Sequence, residues 1–248
     1  MLITILTTAL ICYVAMQFIE TVSFGSRVAG KVSDRLSLGT TLQQSIFIAS
    51  RIFLPPMLLS LSFLIESDLG IKLFLLTTTF LTTSAFLASL FVFLHFNYYQ
   101  LLFQRIFIQY QSNTIPIAIV KALFGKKNEL HLVHMKYIPK IRSLSLKKIV
   151  SSSLAYLFLS TGFLVAFSLA ILIPDYRMTM SQTATLFHGL GAIILALYID
   201  PMVCRSLDNK LENSEWIENI YSIFIGRLLA YILASSIFLA LFLYVYFN

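Results

Sequence analysis

Charge is what this sequence has least of. Asp, Glu, Lys and Arg make up 12% of its 248 residues, against roughly 25% in an average soluble domain. That shortfall excludes an ordinary water-soluble globule. Cysteine is scarcer still, with two in the chain. Cys12 falls in an apolar run and Cys204 in a polar connection, a separation that argues against a disulfide or a cysteine metal cluster. Both thiols are expected to pack as small apolar groups. No glycine-rich phosphate loop is present, so nothing points to ATP, and neither a cofactor nor a bound metal is indicated.

What fills the space is hydrocarbon: 58% of residues are hydrophobic and the mean hydropathy is +0.85. Runs of about 20 apolar residues, enough to cross a core of about 30 Å, lie at roughly 3–23, 40–64, 70–94, 149–173, 180–199 and 222–246. The expected fold is an all-α polytopic membrane helix bundle, one transmembrane domain over residues 1–248 with about six spans. Turn and charge signals separate the runs at Gly25–Ser37, Glu66–Gly70, His95–Lys148, Pro174–Ser181 and Asp200–Tyr221.

Fourteen of the eighteen Lys and Arg fall in the first, third and fifth connections, and only Lys72 and Arg177 on the opposite side. Because basic residues are retained in the cytoplasm, both termini are expected outside it. The first run lacks a basic start and a small-residue cleavage site, so it is expected to remain as a membrane helix.

The connection 95–148 is not a simple linker. Tyr99, Leu102, Phe103, Ile106 and Tyr110 recur at helical spacing, while Gln100, Gln104 and Gln111 fall mostly on another face. That pattern predicts a cytoplasmic-side amphipathic helix, interrupted at Pro116. Lys121, Lys126, Lys127, Lys136, Lys140, Arg142, Lys147 and Lys148 then form a basic tract. It reads either as an anchor on anionic lipid or as a vestibule that gathers an anionic headgroup. Nucleic acid is a poor partner, since topology accounts for the basic residues and no binding module accompanies them.

Charges inside the apolar runs carry more information. Each costs roughly 2.5–3.5 kcal/mol near the bilayer centre, so they are kept facing a cavity, a partner charge or a substrate. Glu20 and Arg27 lie seven residues apart, on one face and about 10 Å apart if the first helix continues past Ser26. They read either as cavity lining or as clasps to other helices. Arg51 lies near mid-bilayer, about 18 Å along a helix starting near Gly39. Pro55 and Pro56 just beyond it remove the donors for the carbonyls of Arg51 and Ile52, predicting a kink with polar backbone at depth. Broken helices of this kind often line transporter cavities.

Gln43 and Gln44 share the inner half of that helix, and Arg227 lies within the last span. Thr77, Thr78, Thr79, Thr82, Thr83 and Ser84 crowd the third, where hydroxyls serve either a cavity or helix packing. His188, beside Gly189 and Gly191, reads either as a proton relay or as a histidine bonded to a neighbouring helix.

The stretch FIETVSFGSRVAGKVSDRLSL, running into a span that contains SRI, resembles the opening of the Amj (alternate to MurJ) family, with its ET-x-[SA]-[YF]-x-x-R-x-[AP]-G signature. Asp200, Pro201 and Asp208 are similar to that family's DP-x-x-x-x-x-x-D segment. The match carries the pattern onto Glu20, Thr21, Ser23, Arg27 and Gly30, then Ser50 and Arg51; Phe24 stands where tyrosine is frequent. Hydropathy alone matches the helices between.

The resemblance implies a flippase for lipid II, the polyprenyl-pyrophosphate-linked peptidoglycan precursor, in a bacterial cytoplasmic membrane. Membrane lipids and the peptidoglycan synthesis machinery would be its partners. Such a substrate keeps its apolar tail in lipid while its anionic head needs a hydrophilic route with fixed cations. Guanidinium is well shaped for phosphate oxygens. On this reading Arg27 captures the headgroup, Arg51 holds it at mid-membrane, and Glu20 balances both when the site is empty. Asp200 and Asp208, with Arg205, form an inner gate or helix cap. A homodimer is expected, since six helices leave little room around so large a headgroup. The alternatives are a transporter of a related polyprenyl-linked sugar, a membrane-embedded enzyme acting on polyprenyl phosphates, and a noncatalytic assembly factor.

Overall fold

A computed structural model describes residues 2–67, 70–125, 143–208 and 213–247, without the side chains of 207, 208, 213 and 214. The described residues are helical throughout, with no strand. Six stretches are long and apolar enough to cross a membrane: 2–32, 36–66, 71–94, 146–172, 174–206 and 215–247. This is the all-α polytopic bundle that hydropathy predicts.

The first helix, α1 (Leu2–Val32), runs further than its apolar window. The expected connection from Gly25 shrinks to a tight turn in which Asp34 takes a left-handed φ of 53°, a conformation Asp tolerates better than most side chains. Arg27 is therefore a buried helix residue rather than a loop charge. Two glycines explain how α1 meets α2 (Leu36–Ser50). A Cβ on Gly30 would lie 2.9 Å from Gly39 Cα, and one on Gly39 would lie 2.7 Å from the Ser26 carbonyl, so the helices touch backbone to backbone. Ser26 Oγ donates to the Gly39 carbonyl at 2.8 Å and pins the crossing. Gly30, which the resemblance singles out, works here as a packing residue.

The second span breaks where the prolines predict. A 3₁₀ turn, Arg51–Phe53, joins α2 to α3 (Leu54–Glu66), with Pro55 and Pro56 in the first turn of α3. The Arg51 carbonyl is not left bare, as the sequence suggests, because the tighter turn lets Leu54 N–H reach it.

Next come α4 (Ile71–Leu94), α5 (Phe96–Tyr110) and α6 (Ile115–Phe124). On α5 the periodic residues Tyr99, Leu102, Phe103 and Ile106 are buried while Tyr110 at its end is exposed, and Gln100 and Gln104 are buried with the aromatic face rather than turned to water. The reason is that α5 packs along α1, with Phe103 only 3.1 Å from where a Cβ on Gly25 would lie. Of the basic tract, Lys126, Lys127, Lys136, Lys140 and Arg142 lie outside the described residues.

The fourth span is α7 (Leu146–Leu172). The fifth is α8 (Arg177–Ile194), a π turn (Leu195–Ile199) and α9 (Asp200–Asp208). Pro201 offers no N–H to Leu197, so the ladder is disrupted there, and Asp200 N–H bonds the Leu195 carbonyl five residues back. Cys204 on α9 is exposed, against the packing role expected of it, while Cys12 is buried. The last span is α10 (Asn213–Phe247).

Two apolar clusters divide the bundle. One gathers Phe24, Phe103, Tyr156, Trp216 and Phe224. The other gathers Tyr13, Met57, Phe74, Phe163 and Tyr231. A polar layer separates them, built on Gln17 and Glu20 of α1 and Arg227 of α10.

Candidate functional site

Glu20 is the centre of that layer and is 4% exposed. Its two oxygens serve different arginines: Oε1 lies 3.2 Å from an Arg51 amino nitrogen and Oε2 lies 3.0 Å from one of Arg227. Ser50 Oγ lies 2.7 Å from the Phe47 carbonyl and 3.3 Å from Glu20 Oε1, so its single hydrogen is shared between them. The carboxylate that sequence pairs with Arg27 and Arg51 thus holds Arg51 and Arg227 instead. Arg27 points along the same helix face one turn and more away, where its Nη2 meets Asp200 Oδ1 at 2.7 Å.

Arg227 is the most enclosed cation, 1% exposed. Its Nη2 donates to Gln17 Oε1 at 3.0 Å and its Nε to Tyr231 Oη at 2.9 Å, while Tyr231 Oη in turn donates to Gln17 Oε1 at 2.5 Å. The guanidinium also lies 4.7 Å from the centre of the Tyr156 ring. A buried charge persists only when its bonds are satisfied in this way. Gln17, Tyr156 and Tyr231 escape a reading focused on charge. Helical spacing does mark two of them: Gln17 stands three residues before Glu20, and Tyr231 four after Arg227, each on the face of its charged neighbour.

Arg51 is held more loosely. It sits at the 3₁₀ turn with its guanidinium 4.4 Å from the Phe47 ring centre, and its side chain is 21% exposed. Its Nη1 lies 3.4 Å from His188 Nε2. An arginine can only donate, so His188 Nε2 accepts and its Nδ1–H donates to the Leu159 carbonyl at 3.2 Å. Close approach of α7 and α8 makes the latter bond possible: a Cβ on Gly191 would lie 2.7 Å from Leu159 N, and one on Gly162 2.6 Å from Phe187 Cβ.

Glu20 and Arg227 border a cavity of about 50 Å³ that Ser23, Arg27, Gln43 and Asp200 also line. A water needs roughly 10–15 Å³ on this measure, so the space suits a few waters and no larger ligand. Two buried atoms of its lining lack partners among the described residues, Arg27 Nε and Gln43 Oε1. Gln44 lines the cavity from its exposed side, and Ser23 donates to the Glu20 backbone carbonyl at 2.7 Å.

Other residues marked by the sequence lie apart. Thr21 turns to α4, bonding Ser89 Oγ at 3.1 Å and the Gln17 carbonyl at 2.6 Å. Arg205 is exposed on α9, the Asp208 side chain expected beside it in an inner gate or cap lies outside the described residues, and Asp200 is engaged by Arg27. The threonines of α4 do not line the cavity. Among the described residues no three of His, Cys, Asp and Glu come together as a metal site would require.

Glu20, Arg27, Asp200 and Arg227 thus share one cavity and Arg51 joins Glu20 beside it, three guanidinium groups to two carboxylates, leaving one positive charge in excess. Both helix breaks adjoin it, the 3₁₀ turn carrying Arg51 and the π turn delivering Asp200.

The chain matches the Amj family, described as alternate to MurJ, over residues 12–247, and it belongs to that family. No curated protein and no solved structure matches it.

Proposed function

We propose that this Amj-family chain moves lipid II, the undecaprenyl-pyrophosphate-linked peptidoglycan precursor, from the inner to the outer leaflet of a bacterial cytoplasmic membrane, with both termini outside the cytoplasm. The observation that carries the reading is the excess guanidinium of the buried layer. A diphosphate entering it meets Arg51, Arg227 and Arg27 and competes with Glu20 and Asp200 for them. Arg51 exchanges first, because its contact to Glu20 is the longest of the three and its side chain the least buried cation. Arg27 Nε adds a donor with no other use.

The cavity at about 50 Å³ is a closed form. Admitting a headgroup requires α2 and the α8–α9 helix to part, and each carries a break in its backbone ladder where bending is easy. Outward movement of an anion is favoured by about 2.3 kcal/mol per charge per 100 mV of inside-negative potential, so no nucleotide is needed. The enzyme alternative is less well supported, because Glu20 and Asp200 are both engaged by guanidiniums rather than free to act as bases.

The test is exposure of lipid II at the outer surface of cells whose other flippases are shut off. Wild-type protein should restore exposure, and Arg51→Ala at matched membrane level should lower it at least tenfold. Equal exposure from both would remove the arginine layer from the mechanism, and none from either, with both inserted, would remove lipid II. In the same cells, collapsing the potential at constant pH gradient should slow exposure; an unchanged rate would rule out the electrophoretic path.

A further inference from the structure

Beyond Arg51 the bundle carries a second hollow, a groove of about 320 Å³ between α3, α7 and α8. It adjoins another of about 330 Å³ that shares Ser62, Phe167 and Ser181 with it and reaches Glu66 and Arg177 at the end of the spans. Its chemistry differs from that of the charged layer. Phe163 and Phe167 form an apolar wall, and α8 presents Ser181, Gln182, Thr185 and His188 along one edge. His188 ties the groove to the charged layer through Arg51, which in turn holds Glu20.

The polar edge is selective in what it can bind. Ser181 Oγ and Thr185 Oγ1 spend their hydrogens on the Met178 and Gln182 carbonyls, at 2.8 and 2.6 Å, so toward the groove they offer lone pairs. His188 has both ring nitrogens occupied. Gln182 is exposed, and its amide makes no hydrogen bond among the described residues. A phosphate brings only acceptors and finds no fixed cation in the 320 Å³ groove. A group rich in O–H and N–H donors with an apolar face finds both its complements.

From this geometry we infer that the α3–α7–α8 groove is a carbohydrate subsite, taking the uncharged hydroxyl- and amide-bearing sugar of a lipid-linked substrate while the arginine layer takes its diphosphate. Ser181, Gln182 and Thr185 are then specificity-determining residues. The inference rests on the transport reading, but part of its test does not.

Purified protein in liposomes would be assayed with two lipids, lipid II and sugar-free undecaprenyl pyrophosphate, using impermeant enzymes that consume only outward-facing lipid. Gln182→Leu/Thr185→Val should slow lipid II about tenfold, the effect of losing roughly two hydrogen bonds, and leave undecaprenyl pyrophosphate within twofold. Equal losses for both lipids, or none for either, would overturn the subsite. Separately, Ser181→Cys in a Cys204→Ser background should react with an impermeant maleimide, and a soluble N-acetylated disaccharide should slow that reaction. Protection without lipid II transport by the wild type would sustain the subsite and sink the transport reading. Transport with neither protection nor selective loss would do the reverse.

Discussion

The charged layer on α1 and α10 and the threonine face of α4 both hold polar groups within the spans, yet they resolve them in opposite ways. On α4 each threonine hydroxyl is answered by its own helix: Thr77 donates to the Leu73 carbonyl, Thr79 to Leu75 and Thr82 to Thr78, all within 2.8–2.9 Å. Thr83 also reaches across, to Ser235 Oγ at 2.7 Å, as Ser89 further along the helix does to Thr21 Oγ1 at 3.1 Å. Such hydroxyls need no tertiary partner and impose none. In the charged layer no charge is balanced within its own helix. Glu20 needs α2 and α10, Arg27 needs α9, and two lining atoms stay without partners. A polar residue in a membrane helix thus signals a site when its valence exceeds what its own backbone can absorb.

Substitutions sharpen the contrast, most strongly at Arg227. Arg227→Ala strands Glu20 Oε2, Gln17 and Tyr231 in a closed space and should cost about 3–5 kcal/mol, read as a lower unfolding temperature in detergent. A loss below 1 kcal/mol would mean that water already screens the layer. Arg27→Gln should cost less, about 1–2 kcal/mol, because the abandoned partner, Asp200, is 31% exposed. Equal losses at the two arginines would show Asp200 to be as dry as Glu20. The smallest effects belong to α4. Thr83→Val gives up one interhelical bond, about 0.6 kcal/mol, and Thr78→Val/Thr82→Val should fall below that and leave lipid II exposure unchanged. If the α4 double variant abolished exposure in the cell assay, the distinction between the two regions would collapse.

Much of the site is legible in the sequence, since charges in apolar windows are rare enough to stand out singly. Glu20, Arg27, Arg51 and Arg227 are found that way, and Pro55 and Pro56 mark the break beside Arg51; Asp200 and Pro201 stand out only through the family resemblance. Their partnership is not legible. Helical spacing sets Glu20 and Arg27 on one face, which makes each the nearest balancing charge for the other along the chain. Yet Glu20 closes on Arg227, 207 residues away, and Arg27 on Asp200, 173 away. Gln17, Tyr156 and Tyr231 carry no charge and so disappear among the ordinary contents of a membrane helix. The burial of Gln100 and Gln104 is hidden for a related reason: periodicity tells which residues share a face, not what lies against it.

Sequence by itself determined the all-helical spanning class, because backbone in hydrocarbon must satisfy its hydrogen bonds within each segment and long apolar runs leave only the helix. It also determined the break in the second span, since proline removes a donor whatever its surroundings. Only the tertiary structure decided which charges meet and which atoms face a cavity. Those depend on the rotation and close approach of helices set by contacts such as Gly30 on Gly39, and a hydrophobic pattern of period 3.6 fixes a face without fixing its neighbour.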